Sequence, residues 1–313
     1  MAHPRTFRFG VQVTTAESAT AWREKARRIE ALGYSTLFMP DHFDNTPLAP
    51  MVAIAFAAEA TSTLRVGHLV LGNDYKHPAI VAKEAATIDL LSDGRLELGI
   101  GAGWMTADYE QLGIPYDSAG TRIERLDEAV QVIKGCFADG PFDFAGEHYT
   151  ITGYDAQPAP VQRPYPPIVI GGGGPKVLRL AGRHADIVGV NPNLRAGAIT
   201  ADAAQDTLSE ITLQKLGWVR EGAGERFDDL ELQIRYFVAA ITDDADGMAE
   251  LLAPGFGVSP TEALESACAC IGTVDQVCDL LVQRREEWGV SYCVFGEDTF
   301  EAFAPVVARL AGT

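Results

Sequence analysis

The sequence predicts a (β/α)8 barrel, the TIM barrel, carrying insertion segments. Three observations predict it. Short apolar runs alternate with helical patterns almost to the end of the chain, eight such runs can be placed, and no G-x-G-x-x-G follows the first, where an open dinucleotide-binding sheet would carry it. The length of 313 residues alone suggests about two domains, but barrels of this kind run as one domain at about this size. We therefore expect residues 1–313 to form one barrel domain.

Taken in order, the strand candidates are Phe7–Val13, Ser35–Pro40, Leu64–Leu71, Arg95–Ala102, Pro167–Gly172, Asp186–Asn191, Glu231–Ile241 and Val290–Gly296. Near-continuous apolar runs suit parallel strands buried on both faces. Between them, Ala19–Leu32 places Trp22, Ala26 and Ile29 on one helical face, and Gly33 follows as a C-terminal cap. Asp127–Phe137 repeats the pattern with Val130, Ile133 and Phe137. Thr273–Trp288 does so with Val274, Val277, Leu281 and Trp288 before Gly289. Phe142–Thr152 reads as a hairpin around Ala145-Gly146, and Asn191–Ala204 and Pro254–Pro260 read as loops. Long loops in a compact barrel are often lids, so lid insertions are expected at 142–152 and 192–204.

Composition excludes several classes of function. With 47% hydrophobic and 22% charged residues the chain is an ordinary globular sequence, which excludes disorder. A net charge of −18 argues against nucleic acid and anionic membranes as partners, since both demand clustered Lys and Arg. No apolar run is long enough to span a bilayer, being broken at Glu59, Lys83 and Glu84, and the start of the chain shows no apolar leader. A cytoplasmic location is the expectation. The cysteines 136, 268, 270, 278 and 293 are odd in number and read as buried thiols; Cys268-Ala-Cys270 lacks a second ligand pair at metal spacing. No metal site is expected.

Barrel enzymes place their chemistry at the C-terminal ends of the strands. After strand two stands Pro40-Asp41-His42-Phe43. His42 is placed to move a proton near neutral pH, with Asp41 orienting it, or the pair is a loop histidine beside a capping aspartate. After strand four, Gly99-Ile100-Gly101-Ala102-Gly103-Trp104 removes side chains so that a flat ligand can approach the backbone, with Trp104 as a wall; tight barrel packing is the plainer reading. After strand five, Gly171, Gly172, Gly173 and Gly174 expose backbone N–H groups just before Pro175, Lys176 and a helix start, the arrangement of an anion site or of a merely flexible loop. In strand three His68 is readable as a ligand contact or as a core histidine. No metal-ligand spacing and no G-x-S-x-G elbow appears.

Taken together these clusters resemble the bacterial luciferase-like monooxygenase superfamily, and most closely its deazaflavin-dependent oxidoreductases. The matching residues are Pro40–Phe43, Leu64–Gly67, His77–Ala79, Leu90–Trp104, Gly146–Tyr149, Gly171–Gly174 and Ile271–Thr273, which span nearly the whole chain. The resemblance implies a barrel with insertions, usually a homodimer, that binds a reduced flavin-type cofactor and a small-molecule substrate at the strand ends. It implies a cis peptide at Leu69–Val70 backing the cofactor ring, with His68 beside it and Gly101, Ala102, Gly103 and Trp104 opposite. It makes His42 the acid or base beside the ring and Asp41 a cofactor contact. It assigns the phosphate to Gly171–Gly174, with Lys176, Arg179 and Arg183 nearest to any anionic tail.

Two departures stand out. Trp104 occupies the place where some deazaflavin dehydrogenases carry an acid, which speaks against a sugar-phosphate dehydrogenase and against a paired acid and base. His68 replaces a threonine common at that position. The implied function is a coenzyme F420-dependent oxidoreductase moving a hydride between the deazaflavin C5 and a small organic substrate. An FMN-dependent monooxygenase is the alternative, and a flavin-binding protein without turnover is the third reading.

Overall fold

The structure, a computed structural model, describes residues 5–43, 46–198 and 200–313. Among these residues eight parallel strands close into a barrel: Arg8–Gln12, Thr36–Met39, Arg65–His68 continued by Leu71–Gly72, Leu96–Gly101, Ile168–Gly172, Ile187–Val190, Glu231–Arg235 and Val290–Gly296. Each pairs in parallel with the next, and strand eight returns to strand one from Arg8↔Tyr292 to Gln12↔Gly296. The predicted fold class is therefore the observed one. Strand three is interrupted at Leu69–Val70, whose peptide bond is cis, as the resemblance implies.

Two layers of packing hold the barrel. Outward-facing aliphatic residues such as Val11, Leu37, Val66, Leu98 and Ile170 are buried against the helices. Inside, Phe38, Val169, Ile187, Tyr292 and Val294 form a separate cluster with Leu69 on top. Gly10 and Gly67 leave room for the Phe38 ring, since a Cβ at either would approach it to 2.9 Å. The N-terminal end of the barrel is closed by charge. Arg8 and Arg65 pair with the buried Glu97, Arg8 also pairs with Glu231, and Tyr292 donates to Glu97 at 2.9 Å. Burial opposes the Glu97 charge, yet the Arg8 and Arg65 guanidiniums hold its carboxyl below the usual carboxylate range.

The structure corrects the sequence reading at several elements. The run 231–241 is two strands. Glu231–Arg235 stays in the barrel, while Val238–Ile241 leaves it and pairs in parallel with Ala269–Gly272. An apolar run shows burial, not partner, so periodicity could not reveal the break. Ala269–Gly272 itself contains the thiol expected to be a small buried hydrophobe, and all five cysteines are free and buried. The helix expected over 127–137 begins earlier, as Ala119–Phe137, because the Ser118 side chain caps it by accepting from Thr121 N at 3.2 Å. The loop expected over 254–260 is mostly helix. Ala245–Phe256 runs through Pro254 to a left-handed Gly257, and Pro260–Glu265 follows behind a Ser259/Glu262 capping box.

Of the two expected lids, 142–152 is a hairpin of Phe142–Ala145 and Thr150–Tyr154, pinned where the Glu128 carboxylate accepts from the backbone of Glu147, His148 and Tyr149. In 192–204, Ile199 lies outside the described residues, and the helix Ala201–Gln205 begins within the segment. No described helix is long and apolar enough to cross a membrane, and no described cluster of His, Cys, Asp or Glu suits a metal ion.

Candidate active site

The C-terminal ends of the strands surround a cavity of about 630 Å³. Strand two delivers Asp41 and His42, strand three Leu69 and Val70, strand four Gly101 to Trp104, and strand five Gly171 to Gly174, all lining one space. Lys176, exposed at the rim, lines it as well. Every one of these residues was singled out from sequence, and the fold brings them together.

His68 is the exception. It is fully buried and absent from the cavity wall. Both ring nitrogens lack a hydrogen-bond partner among the described residues, and burial pushes its pKa down to about 3. The structure thus places His68 in the packed barrel as a neutral ring.

His42 is the best-equipped side chain in the cavity. Its Nδ1 lies 2.7 Å from Oδ2 of Asp108, a carboxylate with no solvent exposure. Asp108 is itself fixed: Oδ1 accepts from Phe43 N at 3.0 Å, and Oδ2 accepts from the Tyr75 hydroxyl at 3.3 Å. The Trp104 ring stands edge-on to the imidazole at 5.4 Å. A carboxylate on Nδ1 fixes the tautomer and leaves Nε2 to exchange a proton with a ligand. Trp104 therefore does not deprive the histidine of an acid partner. The partner comes from the short helix Thr106–Leu112, in whose first turn Asp108 lies. Asp41 does another job. Its Oδ2 accepts from Gly72 N at 3.1 Å, tying strand two to the end of strand three, and burial pushes its pKa up.

The glycines divide into two groups. A Cβ on Gly101 would meet Val70 at 2.8 Å, and one on Gly173 would meet the Pro192 backbone at 2.4 Å, so packing alone requires glycine there. Gly103 adopts φ +73°, which favours glycine as well. Gly174 has nothing closer than 3.6 Å to its missing Cβ. It stands at the N-cap of Pro175–His184 without a side-chain cap, and Gly174 to Val177 line the cavity, so the helix start is available to an anion. Arg179 and Arg183 further along are engaged by Glu221 and Asp127.

Several cavity residues escaped the sequence reading. Gln12 ends strand one and donates from Nε2 to the Leu69 carbonyl at 3.2 Å. Arg235 ends strand seven and donates from Nε to Gln12 Oε1 at 2.9 Å. Arg122 stacks on Tyr116 at 4.1 Å and donates to the Ala102 carbonyl. Asn191 follows strand six, held by the buried Lys215, which donates to its carbonyl at 2.8 Å and pairs with Asp206. A charged residue at the end of an apolar run was the available signal for Arg235. An acid in the first helical turn after strand four was the signal for Asp108.

Likeness to known proteins extends to the family and the fold. The family model described as luciferase-like monooxygenase matches residues 5–292. An FMNH(2)-dependent dimethylsulfone monooxygenase of Pseudomonas putida is 29% identical over 195 residues, 59% of this chain and 53% of that protein. An F420-dependent glucose-6-phosphate dehydrogenase of Kineococcus radiotolerans is 29% identical over 234 residues, 71% of this chain and 65% of that one. The chain thus spans less than two thirds of the length of either curated relative. The coenzyme F420 dependent tetrahydromethanopterin reductase of Methanopyrus kandleri superposes with a TM-score of 0.76 over 98% of this chain and 99% of that one. At 19% identity it shows the shared fold.

Proposed function

The chain belongs to the luciferase-like monooxygenase family, and from that premise we propose that it is a coenzyme F420-dependent oxidoreductase acting on a small organic substrate. The cavity fits such a cofactor on its own terms. The uncapped start of Pro175–His184 with Lys176 offers N–H groups and a cation to one phosphate. Leu69, Val70 and the segment Gly101–Trp104 line one stretch of the cavity and offer a flat ring a wall to lie against. When bound, the deazaflavin supplies the chemistry of accepting or giving a hydride at C5.

What the protein adds is a proton site. Hydride arriving at a carbonyl carbon leaves its oxygen in need of a proton; hydride leaving an alcohol carbon leaves its hydroxyl proton to be removed. His42 does either at Nε2 while Asp108 holds Nδ1. This pair is the observation that carries the reading. Asp41 and Gln12 keep the strand-three wall in place through Gly72 N and the Leu69 carbonyl, and Trp104 shields the imidazole from water on one side.

The FMN-dependent monooxygenase remains the second reading, supported by the FMNH(2)-dependent relative. The test is a pair of dissociation constants measured in one buffer by fluorescence quenching. Binding of the deazaflavin with no FMN binding supports the proposal. Tight FMN binding with oxygen consumption, and no deazaflavin binding, overturns it in favour of the monooxygenase. Binding of either cofactor without turnover of any alcohol or carbonyl compound favours the flavin-binding protein.

A further inference from the structure

The cavity holds a half-buried cation, Arg235, that no described carboxylate meets in an ion pair. Arg235 is the last residue of strand seven and lines the cavity. Its partners are uncharged: Nε donates to Gln12, and one terminal nitrogen donates to the Tyr236 carbonyl. Its Nη2 donates to no described residue, and no described carboxylate forms an ion pair with it. Gly296, at the end of strand eight, sits between Arg235 Nη2 and the exposed Asp298 carboxylate, and a Cβ there would press on both. Burial lowers the Arg235 pKa to about 10, and the exposed Asp298 only partly offsets this, so the side chain stays charged at neutral pH.

The surroundings sharpen the point. Arg122, itself buried, is bound to backbone carbonyls and stacked on Tyr116, again without a counter-charge. Among the carboxylates of the cavity wall, Asp41 is engaged by Gly72 N and Glu262 caps its own helix. A chain of net charge −18 thus encloses a cavity whose wall is positive. A low-dielectric cleft lined by charges of one sign concentrates ions of the opposite sign.

We infer that Arg235 is a specificity-determining residue that receives the carboxylate of the substrate, so that the natural substrate is a small organic acid. The cofactor phosphate does not compete for this role: the uncapped helix start that fits it follows strand five, and strand six lies between it and Arg235. With Nε and Nη1 already engaged, Nη2 is left to give a carboxylate a charge-assisted hydrogen bond. Gln12 fixes the guanidinium, because its amide accepts from Arg235 on one side and donates to the Leu69 carbonyl on the other. The acid is thereby held over the wall at which the hydride chemistry is proposed. This inference rests on the proposed function for the reaction, but not for the binding.

The test therefore uses the full chain without cofactor. Butyrate and benzoate are titrated calorimetrically beside butyramide and benzamide, which have the same shape and no charge. We expect the acids to bind at least about tenfold more tightly than the amides, the scale of a charged hydrogen bond. Arg235→Gln should erase that preference and Arg235→Lys should keep part of it. Acids that fail to bind, acids and amides that bind alike, or a preference that survives Arg235→Gln would each overturn the inference. So would an Arg235→Gln variant that loses cofactor affinity while keeping the acid preference. If Arg235→Gln does not fold, Arg235→Lys decides: an acid preference undiminished in it overturns the inference. If acids bind through Arg235 yet no hydride transfer is found, the proposed reaction fails and the carboxylate site stands.

Discussion

His42 Nδ1 and Asp108 Oδ2 meet at 2.7 Å across 66 residues of chain, one from the end of strand two and the other from a helix after strand four. The two carry different loads. His42 is partly exposed to the cavity, with its side chain at 20%, whereas Asp108 has none of its side chain in contact with solvent. One is poised to meet a ligand and the other to hold its neighbour.

It follows that His42→Ala should fold normally and lose turnover by about 10²–10⁴-fold, the usual contribution of a general acid or base. Asp108→Asn should also lower kcat, because an amide can present N–H to Nδ1 and trap the wrong tautomer. Steady-state kinetics with circular dichroism checks both. Wild-type turnover in His42→Ala would remove the histidine from the chemistry.

How far the site was legible in the sequence depends on what each residue needs from its neighbours. His42, Gly101 and Gly171 are written next to the strand ends that place them, so their position follows from counting strands. Asp108 acquires its role only through a contact with residue 42; its place in the first helical turn after strand four marks an acid near the site, but not that contact. Arg235 was hidden because the apolar run continued past it into Val238–Ile241, so the strand end was placed six residues too late, at Ile241 instead of Arg235. The strand Ala269–Gly272 was missed because its two-stranded sheet lies outside the barrel alternation. His68 looked like a ligand contact from its place in strand three, but the break at Leu69–Val70 puts the next two residues, not His68, on the wall.

His68 makes a pH prediction. Its folded pKa, pushed down by burial from 6.5 to about 3, means that the folded state takes up a proton less readily than the unfolded chain. Stability from this group is fully present above 6.5 and is lost as pH falls toward 3, by up to about 1.4 kcal/mol per pH unit. In His68→Met the acid side of the stability curve should be flatter over this window. At neutral pH the change should be small, since the ring forms no hydrogen bond with the described residues. Urea unfolding at a series of pH values reads both; an unchanged acid slope would contradict the assignment.

The homodimer expected from sequence has a candidate surface. Pro50–Ala60 carries Glu59 as its sole charge yet exposes Val52 and Phe56 at helical spacing. The adjoining helix Pro78–Leu91 exposes Ile80 and Leu91, which fall on one stripe. Helices this apolar are normally covered. A second copy of a chain of net charge −18 is repelled by most of the surface, so a charge-poor patch is where it can dock. The double variant Phe56→Glu/Leu91→Glu should sediment as a monomer where the wild type sediments as a dimer. A wild-type monomer, or a dimer that survives both changes, would discard this surface.

The last prediction concerns the helices that carry the strand-five loop. Pro175–His184 lies against Ser209–Ala223 at a separation that only glycine permits: a Cβ on Gly222 would sit 2.0 Å from the Arg179 carbonyl oxygen, and one on Gly182 would sit 2.3 Å from that of Val219. Gly217, on the same helix as Gly222, has nothing within 4 Å of its missing Cβ. The two glycines therefore respond in opposite directions to one substitution. Gly217→Ala should stabilise by about 0.5–1 kcal/mol, because alanine loses less backbone entropy in a helix. Gly222→Ala must push the helices apart, at about 1–3 kcal/mol of stability. It should also weaken ligand binding at the Gly174 end of the cavity, since Pro175–His184 sets where those N–H groups point. Urea midpoints for the two variants, with the phosphate-bearing cofactor titrated into each, test both halves. Equal effects of the two substitutions would mean that the close crossing does not position the loop.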